Sequence, residues 1–237
     1  MAKRRGKPPR IPQVGTHGMD DALHDYAVGM SPGESPELAA LRRETWVSTV
    51  APQMLSDELQ GRLLSAISRM IAPNRILELG TFTGYATACL AEGLGVGGVI
   101  DTVDREDELI YMQDKHWESM GIRHQIRRHI GMAKDILDSG VLMGKDLRPF
   151  DLLLIDADKE NQRLYLDWAC QNVRVGGWIV VDNVLWWGDV VNVASGSSSE
   201  PRAVAIHELN AYIRDHDQLD NVLLPLRDGL QLIQRTK

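Results

Sequence analysis

RILELGTFTGYATACLAEG, residues 75–93, decides the fold. Its first five residues are a short apolar run closed by Gly80, and the pattern from Tyr85 to Gly93 is helical. Strand, glycine turn and helix make half of a βαβ unit. Downstream the alternation continues: a strand at 99–104 (VIDTVD), a helix at 107–121, a weaker strand at 124–131 and a helix at 133–141. A strongly apolar strand follows at 150–156 (FDLLLID), then a helix at 162–172 ending near Gly176-Gly177, a strand at 178–183 (WIVVDN) and a helix at 201–217. NVLLPLRDGLQLIQR (221–235) predicts two strands around Asp228-Gly229, a hairpin signal. Alternating units imply an α/β fold, a parallel sheet covered on both faces and closed by one antiparallel strand. The number of βα units, five, is too small for an eight-stranded barrel.

Upstream of this stretch, residues 19–71 read as a helical segment. Its pieces are Met19–Val28, Pro36–Thr49 with Ser35 as N-cap, and Ser56–Ile71 with Leu59, Leu63, Leu64, Ile67, Met70 and Ile71 on one face. Residues 1–18 read as a disordered leader, so the expected organisation is a leader and one domain over 19–237. The leader is basic, with Lys3, Arg4, Arg5, Lys7 and Arg10 and no acid among residues 1–10; the remainder holds 21 basic against 33 acidic side chains, a net of −12. That body is a poor electrostatic match for nucleic acid. A membrane span is not expected, because no run of about 18 apolar residues exists. No secretory signal is apparent, and the two cysteines, Cys89 and Cys170, read as buried free thiols of a cytoplasmic protein. Their number excludes a zinc site built from cysteine pairs.

In a doubly wound sheet, ligands sit beyond the carboxyl ends of the strands, where strand order reverses. Glu78-Leu79-Gly80-Thr81-Phe82-Thr83-Gly84-Tyr85 follows the first strand. A dinucleotide loop would need glycine where Phe82 and Tyr85 stand, so a pyrophosphate cradle is disfavoured. Glu78 places a carboxylate at the mouth, suited to a cation. Asp104 ends the second strand, 20 residues beyond Gly84, where an acid can bind both hydroxyls of a ribose. Together they describe a pocket for a nucleoside with a cationic appendage, such as S-adenosylmethionine (SAM).

Asp156-Ala157-Asp158-Lys159 follows the fourth strand and Asp182-Asn183 ends the fifth. Asp156, Asp182 and Asn183 supply three oxygens for a hard cation such as magnesium and leave room for substrate oxygens. Lys159, beside such a cation, would have its ammonium form disfavoured and could serve as a general base. Trp186-Trp187 could wall a flat substrate or pack on the sheet. The small, polar stretch 194–199 (ASGSSS) could be a lid or a surface loop.

At these residues the chain resembles the cation-dependent O-methyltransferases of the caffeoyl-CoA and catechol type. The resemblance is carried by ILELGTFTGYAT (76–87), IDADKENQRLY (155–165), VVDNVLWWGDV (180–190) and PLRDGLQL (225–232), with support from ELAALRRET and PQMLSDELQG upstream. It implies the class I SAM-dependent methyltransferase (Rossmann-like) fold, a seven-stranded doubly wound sheet with the last strand antiparallel. It also implies metal ligands at Asp156, Asp182 and Asn183 for Mg2+, or for Mn2+ or Ca2+, and a general base at Lys159. Cofactor contacts fall on Met54, Ser56, Glu78, Gly80, Thr81, Asp104, Ala133 and Asp156. Three positions depart from the pattern: Ala86, where many members have a serine that touches the methionine carboxylate; Met132, where a polar or small residue is common; and Trp187, asparagine in plant members, which weighs against a CoA-ester substrate.

The implied function is SAM- and metal-dependent methylation of a vicinal dihydroxy aromatic, a phenolic or catechol-like small molecule, by a homodimer. Methylation of a hydroxylated uridine in tRNA is an alternative that the basic leader favours and the acidic body opposes. A non-catalytic SAM-binding protein is a second alternative, opposed by the intact set of Asp156, Lys159, Asp182 and Asn183.

Overall fold

A computed structural model describes residues 21–144 and 148–237. The leader and the expected helix start at Met19 lie outside the described residues. Helices α1 (Asp21–Met30), α2 (Pro36–Ser48) and α3 (Glu58–Ile71) precede the sheet. Ser35 caps α2 as expected, accepting the Leu38 N–H at 3.2 Å. Helix α3 starts two residues later than its pattern suggested, because the Asp57 carboxylate caps it by accepting the Gln60 N–H at 2.8 Å.

Strands β1 (Arg75–Leu79), β2 (Val99–Asp104), β3 (Ile126–Ile130), β4 (Phe150–Ile155), β5 (Val173–Asp182), β6 (Leu219–Leu224) and β7 (Leu230–Arg235) form one sheet in the order β3-β2-β1-β4-β5-β7-β6. The pairings β1–β2, β1–β4, β2–β3 and β4–β5 are parallel, and β7 runs antiparallel to both its neighbours. The class I methyltransferase sheet is therefore present, with its last strand antiparallel as expected. Strand β5 begins five residues before the expected start: it runs on through an irregularity at Gly176, which has φ +77°, where the β4–β5 register shifts between Phe150 and Leu152.

Helices α4 (Tyr85–Ala91), α5 (Ile110–Ser119), α6 (Ala133–Asp138), α7 (Gln162–Asn172), α8 (Asp189–Ala194) and α9 (Pro201–Asp215) complete the layers. Alternation along β1 shows how the sheet is covered. Leu77 and Leu79 pack with Leu137 of α6, Tyr165 and Leu166 of α7 and Ile206 and Leu209 of α9. Ile76 points the other way, into a core with Leu41 of α2, Leu64 of α3, Leu90 of α4 and Trp117 of α5. Burial on both faces explains why the strands read as continuous apolar runs. Strand order reverses between β1 and β4, so a crevice opens beyond their carboxyl ends. The short helix α8 was not foreseen. The serine stretch after it is a surface loop tied back to that helix, with Ser198 Oγ donating to Asp189 at 2.8 Å.

Candidate active site

The turn after β1 is shaped by close approach to β4. Gly80 has φ +101°, and a side-chain carbon there would lie 2.0 Å from the carbonyl oxygen of Asp156. Only glycine fits that geometry. Asp104 at the end of β2 organises the same turn: its Oδ2 accepts the N–H groups of Thr81 at 3.0 Å and Phe82 at 2.7 Å. The Thr81 hydroxyl turns inward, 2.6 Å from that of Thr102.

Thr102 and Thr87 donate to the same oxygen of Glu78, at 2.6 and 2.5 Å. The other oxygen, Oε1, is buried and has no hydrogen-bond partner among the described residues. Burial pushes the Glu78 carboxyl up to about 8, against the pull of these two hydroxyls, and the charges of Asp156 and Asp104 push the same way. A buried acid with one idle oxygen at the strand-order reversal suits a cationic ligand group.

The second half of the site stands on β4 and β5. Asp156 follows β4, and Lys159 reaches back to it, Nζ to Oδ1 at 3.0 Å. Burial raises Asp156 to about 6; Lys159 opposes this and the charge of Asp182 adds to it. Two carboxylates, with an amide beside them, form an oxygen donor set suited to a hard divalent cation. Among the described residues no group of three or more His, Cys, Asp or Glu could hold a metal. The set at β4 and β5 has two carboxylates, with the Asn183 amide as a candidate third oxygen donor. Asp158, the other acid of that loop, is engaged elsewhere, accepting the Tyr165 hydroxyl at 2.5 Å and the Asn161 amide.

Two glutamines grip Asp182. Gln60 of α3 donates from Nε2 to its Oδ2 at 2.7 Å, and Gln162 of α7 donates to its carbonyl at 3.0 Å. The neighbouring Asn183 N–H donates to Oδ1 at 2.7 Å. The β6–β7 turn adds Arg227, whose Nη1 donates to Gln60 Oε1 at 3.0 Å. It also adds Asp228, which accepts the Trp187 N–H at 2.5 Å and faces the Asn183 amide nitrogen at 3.4 Å. Gln60, Gln162, Arg227 and Asp228 were missed in the sequence. The turn was legible only as a hairpin, and the distance along the chain from Gln60 to Asp182 hides their meeting.

These groups open into one cavity of about 1510 Å³. That exceeds the volume of a single small-ligand pocket and has room for a cofactor and a second molecule. Of the expected site residues, Met54, Ser56, Gly80, Asp104, Ala133, Asp156, Lys159, Asp182 and Asn183 line it. Glu78 and Thr81 stand behind the wall. Trp187 lines the cavity and is half exposed. Trp186 packs against the core, with the Arg202 guanidinium 5.9 Å from its ring centre. The tryptophan pair thus divides the two roles that the sequence left open.

Sheet order, glycine turn and strand-end acids together define a class I methyltransferase architecture. The family model described as O-methyltransferase matches residues 28–236, and the chain belongs to that family. Curated relatives include a catechol O-methyltransferase of Mycobacterium tuberculosis, 32% identical over 79% of this chain and 81% of its own. A caffeoyl-CoA O-methyltransferase of Stellaria longipes is 30% identical over 91% of this chain and 90% of its own. Among solved structures, the O-methyltransferase TomG of Streptomyces achromogenes, in complex with SAM, superimposes with a TM-score of 0.81 at 25% identity, covering 91% of this chain and 96% of that one. An O-methyltransferase from Bacillus cereus in complex with SAH gives 0.80 at 25% identity, covering 91% and 97%.

Proposed function

We propose that the protein is a SAM-dependent, divalent-metal-dependent O-methyltransferase acting on a vicinal dihydroxy aromatic small molecule. The observation that carries this is the meeting of Asp156, Lys159, Asp182 and Asn183 in the cavity that Gly80 and Asp104 also line. Glu78 would pair with the cationic end of SAM, Asp104 would hold its ribose, and Met54, Ser56 and Ala133 would complete that wall. Asp156, Asp182 and Asn183 would hold Mg2+, or Mn2+ or Ca2+, which supplies a Lewis acid for two adjacent acceptor oxygens. Lys159 Nζ, as the neutral amine, would accept the proton of the hydroxyl to be methylated. Trp187 offers an aromatic face to the acceptor ring. The acceleration comes chiefly from alignment of donor and acceptor and from charge stabilisation.

The assay is methyl transfer from SAM to a panel of catechols and hydroxylated nucleosides, with and without EDTA. Transfer to a catechol that stops on chelation and returns with Mg2+ is expected; undiminished turnover after exhaustive chelation would refute the metal requirement.

We also infer a homodimer formed through the N-terminal helices, where Leu23, Tyr26, Met30 and Val47 are exposed apolar side chains. Light scattering showing a monomer at micromolar concentration would contradict it. Among the described residues no helix is long and apolar enough to cross a membrane. A cytoplasmic, reducing location suits the two buried free thiols, Cys89 and Cys170.

A further inference from the structure

The metal reading requires Asn183 to present its oxygen, and an amide side chain has two ends of similar shape. Which end faces a given direction is decided by the hydrogen-bond network around it. At Asn183 that decision falls to Asp228. A carboxylate only accepts, so the amide nitrogen faces it, at 3.4 Å, and Oδ1 is left on the opposite edge with no hydrogen bond among the described residues. Gln60 poses the same problem in reverse. A guanidinium only donates, so Arg227 draws Gln60 Oε1 to itself at 3.0 Å and turns Nε2 toward Asp182, 2.7 Å from its Oδ2.

Two neighbouring residues of opposite charge, on one hairpin turn, therefore face two amides of opposite required polarity. The turn itself is held firmly. Val184 and Leu185 donate their N–H groups to the carbonyls of Gly229 and Asp228, at 3.3 and 2.8 Å. Gly229 has φ +86°, and a side-chain carbon there would sit 2.5 Å from Leu185 Cγ. Four non-glycine residues at this corner, Asn183, Trp186, Trp187 and Arg227, have positive φ, between 48° and 60°. Such backbone persists only where its surroundings over-determine it, and it concentrates at ligand sites. Asp228 touches two of the four, Asn183 and Trp187.

We propose that Arg227 and Asp228 are positioning residues that set the polarity of the Gln60 and Asn183 amides, so that Asn183 offers oxygen to the cation and Asp182 is held by a donor. This rests on the metal reading above. It assigns a role to a turn outside the proposed ligand set.

The test is Mn2+ binding to the cofactor-free enzyme, followed by the electron paramagnetic resonance signal of the free ion, with SAM affinity measured alongside. In Asp228→Asn, the new amide must keep its oxygen toward the Trp187 N–H and turn its nitrogen toward Asn183. Asn183 then flips and offers nitrogen to the cation; Mn2+ affinity falls at least about tenfold, in the range seen for residues that orient metal ligands. Adding Asn183→Asp reverses the pair, with a donor at 228 and an acceptor at 183, and restores affinity to within about threefold of wild type. Gln60→Glu separates polarity from simple charge. An added negative charge alone would tighten Mn2+ binding, whereas loss of the donor to Asp182 weakens it about tenfold.

SAM affinity stays within twofold in every variant. Wild-type Mn2+ affinity in Asp228→Asn, no recovery in the double variant, or tighter binding in Gln60→Glu would each overturn the proposal. Should Asp228→Asn not fold, Gln60→Glu, which leaves the turn intact, decides alone. A wild-type enzyme that binds no Mn2+ would fail the metal reading itself; a wild type that binds, with variants unmoved, would fail only the assignment of the turn.

Discussion

The two ends of the sheet both bury charged side chains, and they treat them in opposite ways. At the amino-terminal end, Arg75 of β1 is fully engaged. It donates to Asp101 at 2.9 Å and to the carbonyls of Arg148 and Leu142 at 2.7 Å each, and its guanidinium lies 4.0 Å from the Phe150 ring centre. Asp101 also pairs with His129 at 3.0 Å. Burial works against the Asp101 carboxylate, yet the bonds from His129 and Arg75 hold it below the usual range. At the carboxyl-terminal end, Glu78, Asp156 and Asp228 are all pushed up, because burial is not matched by counter-charge. A balanced network at one end fixes the fold, whereas an unbalanced one at the other is suited to completion by ligands.

The contrast breaks if charge removal has the same consequence at both ends. Asp182→Asn removes a proposed metal ligand and should lower turnover on the order of 10³-fold, the worth of several kcal/mol of charge stabilisation. It also relieves repulsion with Asp156, so a urea unfolding curve should move by less than about 1 kcal/mol. Arg75→Met should do the reverse. It leaves Asp101 with His129 alone and the buried Leu142 carbonyl without its donor, and costs about 3–5 kcal/mol of folding stability. Turnover per folded molecule, in a matched assay at low temperature, should stay within a few-fold of wild type.

A pH titration sharpens the comparison. Free protein at neutral pH holds Glu78 largely as the acid, since burial places it at about 8. On the proposed pairing of Glu78 with the cationic end of the cofactor, the carboxylate is the form that pairs, and binding releases a proton. Cofactor affinity should therefore fall as pH drops below about 8, approaching about tenfold per pH unit, and calorimetry in buffers of different ionisation heat should detect the released proton. The free protein carries the opposite burden: its stability contribution from Glu78 declines as pH rises from the unfolded carboxyl range through 8. Glu78→Gln should flatten the affinity profile and weaken binding at high pH; a slope that survives the substitution would assign the proton to another group.

The smallest effect belongs to Trp187, half exposed at the rim. Trp187→Ala should raise the KM for a catechol about 3–10-fold with little change in kcat, the worth of one aromatic contact. An unchanged KM would return this ring to the surface.

The strands were legible because β1 and β4 are buried on both faces and are mostly apolar. The exceptions in β1 are Arg75 at its start and Glu78, which was named as a candidate because it stands near the carboxyl end of the strand. Helix starts were less so: Ser56 and Asp57 can both cap, and only the folded chain shows the Asp57 carboxylate on the Gln60 N–H. Asp156, Lys159, Asp182 and Asn183 could be named because strand ends in a doubly wound sheet converge. Which of them need support, and from where, could not. Gln60 precedes the sheet and Arg227 closes it, and nothing in the spacing says that a helix before β1 and a hairpin after β6 meet over one carboxylate.

By itself, then, the sequence determined the alternation of strands and helices and the acids at strand ends, since both follow from local periodicity and from the rule that parallel strands end together. Tertiary structure alone decided which amide end faces which charge, which tryptophan lines the cavity and which buried carboxylates lack a counter-ion. These depend on three-dimensional neighbours distant in sequence, and on how much water the assembled elements exclude.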